Sequence, residues 1–424
     1  MKAYPAYKSS GVEWLEEIPE KWEFRPIKRI FSEVDIKKGN ASYPLLSFSR
    51  EKGLIIPPID KKGVPDDLSC YKVLKKGQLL ENRMQAWSGM FICADKDGCV
   101  SPDYSVFEAI NTNTTSVKFY EYVFRNHIWV SLFANASKGI GTGFNRLYTP
   151  QFGAIKTIFP PVEEQNAIVA YLDKKCAEID ELVSRRQAII ERLKELKQSI
   201  IAEAITKGLN PDAPMKDSGI DWLGEVPQHW EKYRTPSILK VTSKAGTDSD
   251  ELLSVYLDRG VIRHSESDGM QVHKPSKDMS AYQKVLPGNF VCNNQQAWRG
   301  SVGVSEHEGR ISPAYIIFNL SSMLEPKFAN YFFRSQAWNP SFVYSSKGVG
   351  SIQRNLYLPW LRQHYCYLPS TEEQQAIVTY LDKKCAEIDE LIARQEQIIE
   401  KLKELKTSTI AHVVTGKVDV RDAI

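Results

Sequence analysis

The chain has 424 residues, 42% apolar and 25% charged, with 55 basic against 52 acidic side chains and a formal net charge of +3. This is ordinary for a soluble globular protein with room for two or three domains, and the balance is no strong nucleic-acid signal by itself, although it is compatible with a local basic face. Seven cysteines with no CxxC pair and no histidines at zinc spacing read as free thiols in a reducing compartment. No apolar leader follows Met1 and no apolar run approaches the ~18 residues of a membrane span, so a cytoplasmic location is expected.

In chain order, Lys8–Glu23 reads KSSGVEWLEEIPEKWE. A region of about 24–160 follows, with short β-like runs at Tyr43 (YPLLSFS), Gln78 (QLLENRM) and Val106 (VFEAI) and a helical pattern over Lys118–Phe133. From Glu163 to Lys207 the sequence predicts one long helix. It is preceded by Pro160 and Pro161, rich in Ala, Glu, Lys, Leu, Gln and Arg, and stopped by GLNP at Gly208–Pro211. Then the order repeats. Lys216–Glu231 reads KDSGIDWLGEVPQHWE, so Trp14, Pro19 and Trp22 answer Trp222, Pro227 and Trp230. A second region of about 232–370 has β-like runs at Leu252, Asn289 and Tyr315 and a helical pattern over Pro326–Trp338. A second long helix closes the series, and from Ile168 to Lys197 it matches Ile377 to Lys406 at 23 of 30 positions. The string YLDKKCAEIDEL stands unchanged at Tyr171 and at Tyr380.

These elements predict an α+β chain with a pseudo-two-fold internal repeat: two mixed α/β domains joined by two long helices in an antiparallel coiled coil. The expected divisions are 1–162 (lead-in segment and first domain), 163–207 (first helix), 208–371 (linker, lead-in and second domain), 372–415 (second helix) and 416–424 (tail). Ile189, Leu193, Leu196 and Ile200 have the 4-3-4 spacing of a coiled-coil seam, which Leu172, Ile179 and Leu182 extend and Leu381, Ile388, Leu391, Ile398, Leu402 and Leu405 copy. A helix of roughly 40–45 residues spans about 60–65 Å, and the cheapest cover for its apolar stripe is its own copy. The near-identical helices and divergent domains suggest one frame presenting two different surfaces.

With those blocks in view, the chain strongly resembles the specificity subunit of type I restriction–modification systems. The resemblance rests on SGVEWLEEIPEKWE, on the helix starts Pro161–Leu172 and Pro369–Leu381, and on VVTGKVDVR from Val413. It implies two target-recognition domains, each reading one half of a bipartite, asymmetric site on double-stranded DNA. It further implies that the paired helices act as ruler and docking surface. The partners it implies are two modification subunits that methylate adenine with S-adenosylmethionine, and restriction subunits that use ATP and Mg. No cofactor, metal or catalytic residue is then expected in this chain.

Chemistry within the chain is weakly represented. NPSF at Asn339 lacks the second proline of an adenine-methylase N-P-P-Y pocket, and GIGTG at Gly139 has no clear strand before it. No G-x-x-x-x-G-K-[ST] phosphate loop is present, Asp66 and Asp67 form no nuclease pattern, and the seven histidines have no metal spacing. The polar clusters are better candidates. NNQQAWRG supplies Asn293, Asn294, Gln295, Gln296 and Arg299 around Trp298, residue types that pair with adenine or guanine edges in the major groove, although a capped turn is an equal reading. NRMQAW offers Asn82, Arg83 and Gln85. The SKGIGTGFNR and SKGVGSIQRN segments offer Lys138, Asn145, Arg146, Lys347, Gln353, Arg354 and Asn355, with glycines that allow close approach to phosphate or simply make turns. The pairs Lys37–Lys38, Lys61–Lys62 and Lys75–Lys76 read first as solvated surface. A coiled-coil adaptor that binds no specific DNA is the competing reading.

Overall fold

A computed structural model of the chain describes residues 2–57, 65, 67–139, 145–267, 276, 278–349 and 353–423, without the side chains of Val349 and Gln353. Lys61, Lys62, Asp66 and the glycine run beyond Gly139 lie outside the described residues. The chain divides into two units, Met1–Arg186 with Gln397–Ile424, and Gln187–Glu396. The division cuts both long helices, so each unit owns one half of each.

In the first unit, strands β1 (Phe31–Val34), β2 (Leu79–Asn82), β3 (Phe91–Cys93) and β4 (Tyr104–Ala109) form an antiparallel sheet of order β1-β4-β2-β3. Their period of two sorts the side chains. Leu79, Phe91 and Phe107 enter the main core, while Leu80, Ile92 and Val106 enter a smaller core on the other side. Helix α1 (Val117–Arg125) buries Phe119, Tyr120, Val123 and Phe124 on one face. The helical pattern that the sequence carries on to Phe133 is broken at Asn126, which is buried. Its side chain accepts from Ile128 N at 3.0 Å and starts a new helix, His127–Ala136. Strand Glu23–Pro26 pairs with Lys156–Phe159, so the domain begins and ends at the start of the long helix α2 (Val162–Lys207).

The second unit repeats the plan. Its strands β5 (Leu239–Thr242), β6 (Asn289–Asn293), β7 (Val302–Val304) and β8 (Tyr315–Leu320) have the same order, β5-β8-β6-β7. Helix α3 (Pro326–Arg334) follows, then a hairpin of β9 (Ser346–Val349) and β10 (Gln353–Leu356), and the long helix α4 (Thr371–Val414).

The near-identical strings at the helix starts are explained by what they touch. Gln165 is fully buried; its Oε1 accepts Ser116 N at 2.8 Å and its Nε2 donates to Thr114 O and Pro160 O at 3.0 and 2.8 Å. Gln374 does the same with Glu325 N, Met323 O and Pro369 O at 2.8, 2.8 and 3.0 Å. Tyr122 and Tyr331 donate to Asp173 and Asp382 at 2.6 and 2.8 Å. The Trp/Pro blocks complete each joint: Trp22 Nε1 donates to Glu164 at 2.7 Å and Trp230 Nε1 to Glu373 at 3.2 Å. Gly416 (φ 74°) ends α4 there, where a Cβ would come within 2.4 Å of Pro19.

The halves of α2 and α4 pack antiparallel in each unit. Lys406 Nζ bonds both carboxylate oxygens of Asp180 at 2.7 Å in the first unit, and Lys197 does the same to Asp389 in the second. The seam corrects part of the sequence reading: Leu172, Ile179, Leu193, Ile200, Leu381, Ile388 and Leu402 lie in it, and the other positions fall one residue further on. Buried or half-buried residues run Leu172, Cys176, Ile179, Val183, Arg186, Ile190, Leu193, Lys197, Ile200 and Ala204, a 4-3-4-3 pattern that α4 copies from Leu381 through Cys385, Ile388, Ile392, Gln395, Ile399, Leu402 and Lys406. Leu182, Ile189, Leu196, Leu391 and Leu405 are 37–52% exposed and, with half-buried Ile398, flank this seam instead of forming it. Lysines hold two seam positions through their alkyl stems, so an apolar template slides onto the neighbouring Leu and Ile.

Candidate nucleic-acid interface

Each unit carries the same small constellation at the end of its second sheet strand. In the first, β2 runs into a 3-10 turn, Ala86–Ser88, closed by Gly89 at φ 81°. In the second, β6 runs into Ala297–Arg299, closed by Gly300 at φ 93°. The positive φ explains the glycine in both strings. A tryptophan sits on each turn with its indole N–H spent on the backbone: Trp87 on Met84 O at 2.9 Å, Trp298 on Gln295 O at 3.0 Å. Beside each turn lies the second polar segment, bridged Lys138 to Arg146 in the first unit and folded as the β9–β10 hairpin in the second.

Several candidate residues are used up by this local structure. Asn82 Oδ1 accepts Met84 N and its Nδ2 donates to Gln85, both at 3.2 Å. Asn293 Oδ1 accepts Gln295 N at 3.0 Å. Asn294 receives Leu356 N through its carbonyl and its Oδ1, at 2.9 and 3.1 Å. Arg83 donates to the carbonyls of Asp103 and Pro102 at 3.1 and 2.5 Å. These four build the turns; a side chain so committed is poorly placed to reach a base edge.

The remaining candidates face solvent. Gln85, Lys138, Asn145, Gln295, Gln296, Arg299, Lys347 and Asn355 are exposed, and Arg146 and Arg354 are half-buried; for Gln353 only the backbone is described. Arg146 pairs with Asp103 at 3.3 Å. Arg299 and Arg354 lie over the Trp298 ring, at 4.7 and 5.2 Å from its centre. Lys347 lies over Tyr357 and Trp360, at 4.1 and 4.8 Å, and both rings are 39% exposed. Trp360 was not singled out in the sequence; an aromatic three residues after Tyr357 in a Pro-containing turn was the available signal. Lys37 and Lys75 are paired with Asp35 and Asp97, at 2.8 and 2.9 Å. Glu81, one residue before Asn82, is fully buried with neither carboxylate oxygen hydrogen-bonded, and burial holds its pKa well above the usual carboxylate range.

No group of three or more potential metal ligands occurs among the described residues, and no described helix is long and apolar enough to cross a membrane. What the surface can do is present amides, guanidiniums, ammoniums and aromatic faces to an anionic, flat-edged ligand.

No family model matches the chain. It is 24% identical over 277 residues to the specificity subunit of the type I restriction enzyme EcoBI of Escherichia coli, covering 61% of this chain and 57% of that one. It is 21% identical over 342 residues to the specificity subunit of the EcoKI enzyme of Escherichia coli strain K12, covering 76% and 68%. The first of these matches thus spans little more than half of its relative's length. Among solved structures, a chain from a study of complex assembly and conformational transition of the type I R-M system aligns with a TM-score of 0.68 at 16% identity, covering 95% of this chain and 99% of that one. The HsdS subunit from Thermoanaerobacter tengcongensis aligns with a TM-score of 0.53 at 17% identity, covering 95% and 98%. The resemblance to type I specificity subunits read from the repeated blocks holds in sequence and in fold.

Proposed function

We propose that this chain, similar in sequence and fold to type I specificity subunits, is the DNA-reading subunit of a type I restriction–modification complex and carries no catalytic chemistry itself. The observation that carries the reading is the repeated constellation. The same turn, tryptophan and adjoining polar segment recur in both units on the same four-strand frame, and the exposed side chains differ. A conserved mount with two different faces is what an asymmetric, bipartite site requires; a palindrome would ask for two equal faces. The long helices then fix the gap between the half-sites.

The helices also have surface to spare. In the first unit Leu182 and Leu405 stand exposed beside the seam, and in the second Ile189, Leu196 and Leu391 do. Surface ion pairs repeat as well, Lys175 with Glu178 at 2.7 Å and Lys384 with Glu387 at 2.9 Å. Two equivalent stripes suit two copies of one partner. We assign these to two modification subunits, which bring S-adenosylmethionine to adenine, with ATP- and Mg-dependent restriction subunits completing the complex in the cytoplasm.

The test is selection of duplexes from a random pool by the full chain. The expected product is two different short half-sites at a fixed gap, with random-duplex affinity falling steeply as salt rises. Recovery of no motif, with salt-insensitive binding or none, would leave a coiled-coil adaptor.

A further inference from the structure

We propose that Arg299, presented on the face of Trp298, reads a guanine in the half-site of the second unit; this rests on the DNA-reading function proposed above. Arg299 is exposed and makes no ion pair among the described residues. Its neighbours in the cluster, Arg354 and Lys347, also lie over aromatic rings. An uncommitted guanidinium on a protein surface normally samples many rotamers. Here the turn is closed by Gly300, and Trp298 is locked by its bond to Gln295 O at 3.0 Å, so the guanidinium rests on a fixed platform 4.7 Å away. A ring face takes one side of the planar cation and leaves its edge, with the N–H donors, directed outward. Two parallel donors match the O6 and N7 acceptors of guanine in the major groove, and no other base presents two acceptors there.

The first unit shows what the absence of this device looks like. Position for position, Ser88 replaces Arg299, and Ser88 O is itself taken by Arg50. Arg83 and Arg146 are tied to the Pro102–Asp103 turn, and in the second unit Ala314 stands where Asp103 would be. The second unit therefore lacks the carboxylate and has gained the arginine. Phosphate binding alone would ask for charge but not for a ring-mounted, edge-on guanidinium, and for that reason a base edge is favoured over the backbone.

The experiment uses the full chain and the motif it selects from random duplexes. Each guanine is replaced in turn by 7-deazaguanine, which lacks the N7 acceptor. Wild-type affinity should fall about ten-fold to one-hundred-fold at one guanine of one half-site, and Arg299→Ala should lose the same affinity and become indifferent to that substitution. Arg299→Lys, which keeps the charge but not the fork, should behave like the alanine variant at that guanine while retaining random-duplex affinity. A uniform loss across all sequences in Arg299→Ala, rescued by lysine, would make Arg299 a phosphate contact and overturn the inference. So would a selected motif in which no guanine loses its 7-deaza sensitivity in the variant. Selection of no motif at all would sink the DNA-reading function along with it.

Discussion

The turn Asn82–Gly89 and the turn Asn293–Gly300 are one structure with two surfaces. Both use an asparagine to close the backbone, a glycine at positive φ to leave it and a tryptophan pinned through its indole N–H. On the first, the arginines turn inward to carbonyls and a carboxylate, and exposed Met84 and Trp87 are left facing solvent. On the second, the arginines lie on the tryptophan. The lesson is that residues which specify the mount and residues free to specify a ligand share the same eight-letter string. Asn82, Trp87 and Gly89 agree with Asn293, Trp298 and Gly300, whereas Ser88 and Arg299 do not.

The largest test of the comparison concerns the helices, where the two units agree most. If the stripes are equal platforms, Leu182→Glu with Leu405→Glu should remove one modification subunit, and Leu196→Glu with Leu391→Glu the other. Native mass spectrometry of the co-expressed complex reads this directly. Loss of both copies from either pair would mean a single shared interface. The joints come next. Gln165→Ala and Gln374→Ala each delete the three hydrogen bonds of a buried amide and orphan their partners, so each should cost about 3 kcal/mol, measured by urea unfolding. A marked inequality would show that the two copies carry different loads. Exchanging the carboxylate sharpens the contrast between the turns. Ala314→Asp should weaken binding to the selected motif about ten-fold, or about 1.4 kcal/mol, while Asp103→Ala should steepen the salt dependence by about one phosphate contact. The smallest effect separates Glu81 from Cys292, its counterpart on β6. Because burial raises the folded-state pKa of Glu81, the folded chain binds that proton more tightly than the unfolded chain does. The stability this contributes is complete below the ordinary carboxylate range, near 4.3, and is lost as pH rises toward the folded value. Glu81→Gln should flatten that decline in thermal unfolding followed from about pH 5 to 9.

Much of the fold was legible because repetition and helix composition are local signals. Two long helices with an antiparallel pairing followed from identical strings, flanking prolines and a stop at GLNP. The seam was legible only in part: Leu172, Ile179, Leu193 and Ile200 lie in it, but Leu182, Ile189 and Leu196 stand beside it. Lys197 and Lys406 look like surface residues in a sequence, and only the carboxylate of Asp389 or Asp180 across the pair reveals why a lysine stands in the stripe. The same limit applied to the polar clusters: Asn294 and Arg299 are equally polar letters, yet one bonds Leu356 N and the other faces solvent.

The sequence by itself determined the duplication, the helices, and the alternation of constant frame with divergent face, since each is written in neighbouring residues or in the comparison of one half with the other. The tertiary structure decided which of two adjacent stripes is buried and which arginines remain available. The first depends on carboxylates 192 and 226 residues away, the second on carbonyls 19 and 20 residues away and on a turn's handedness, and hydrogen bonds and burial of this kind leave no periodic trace in the chain.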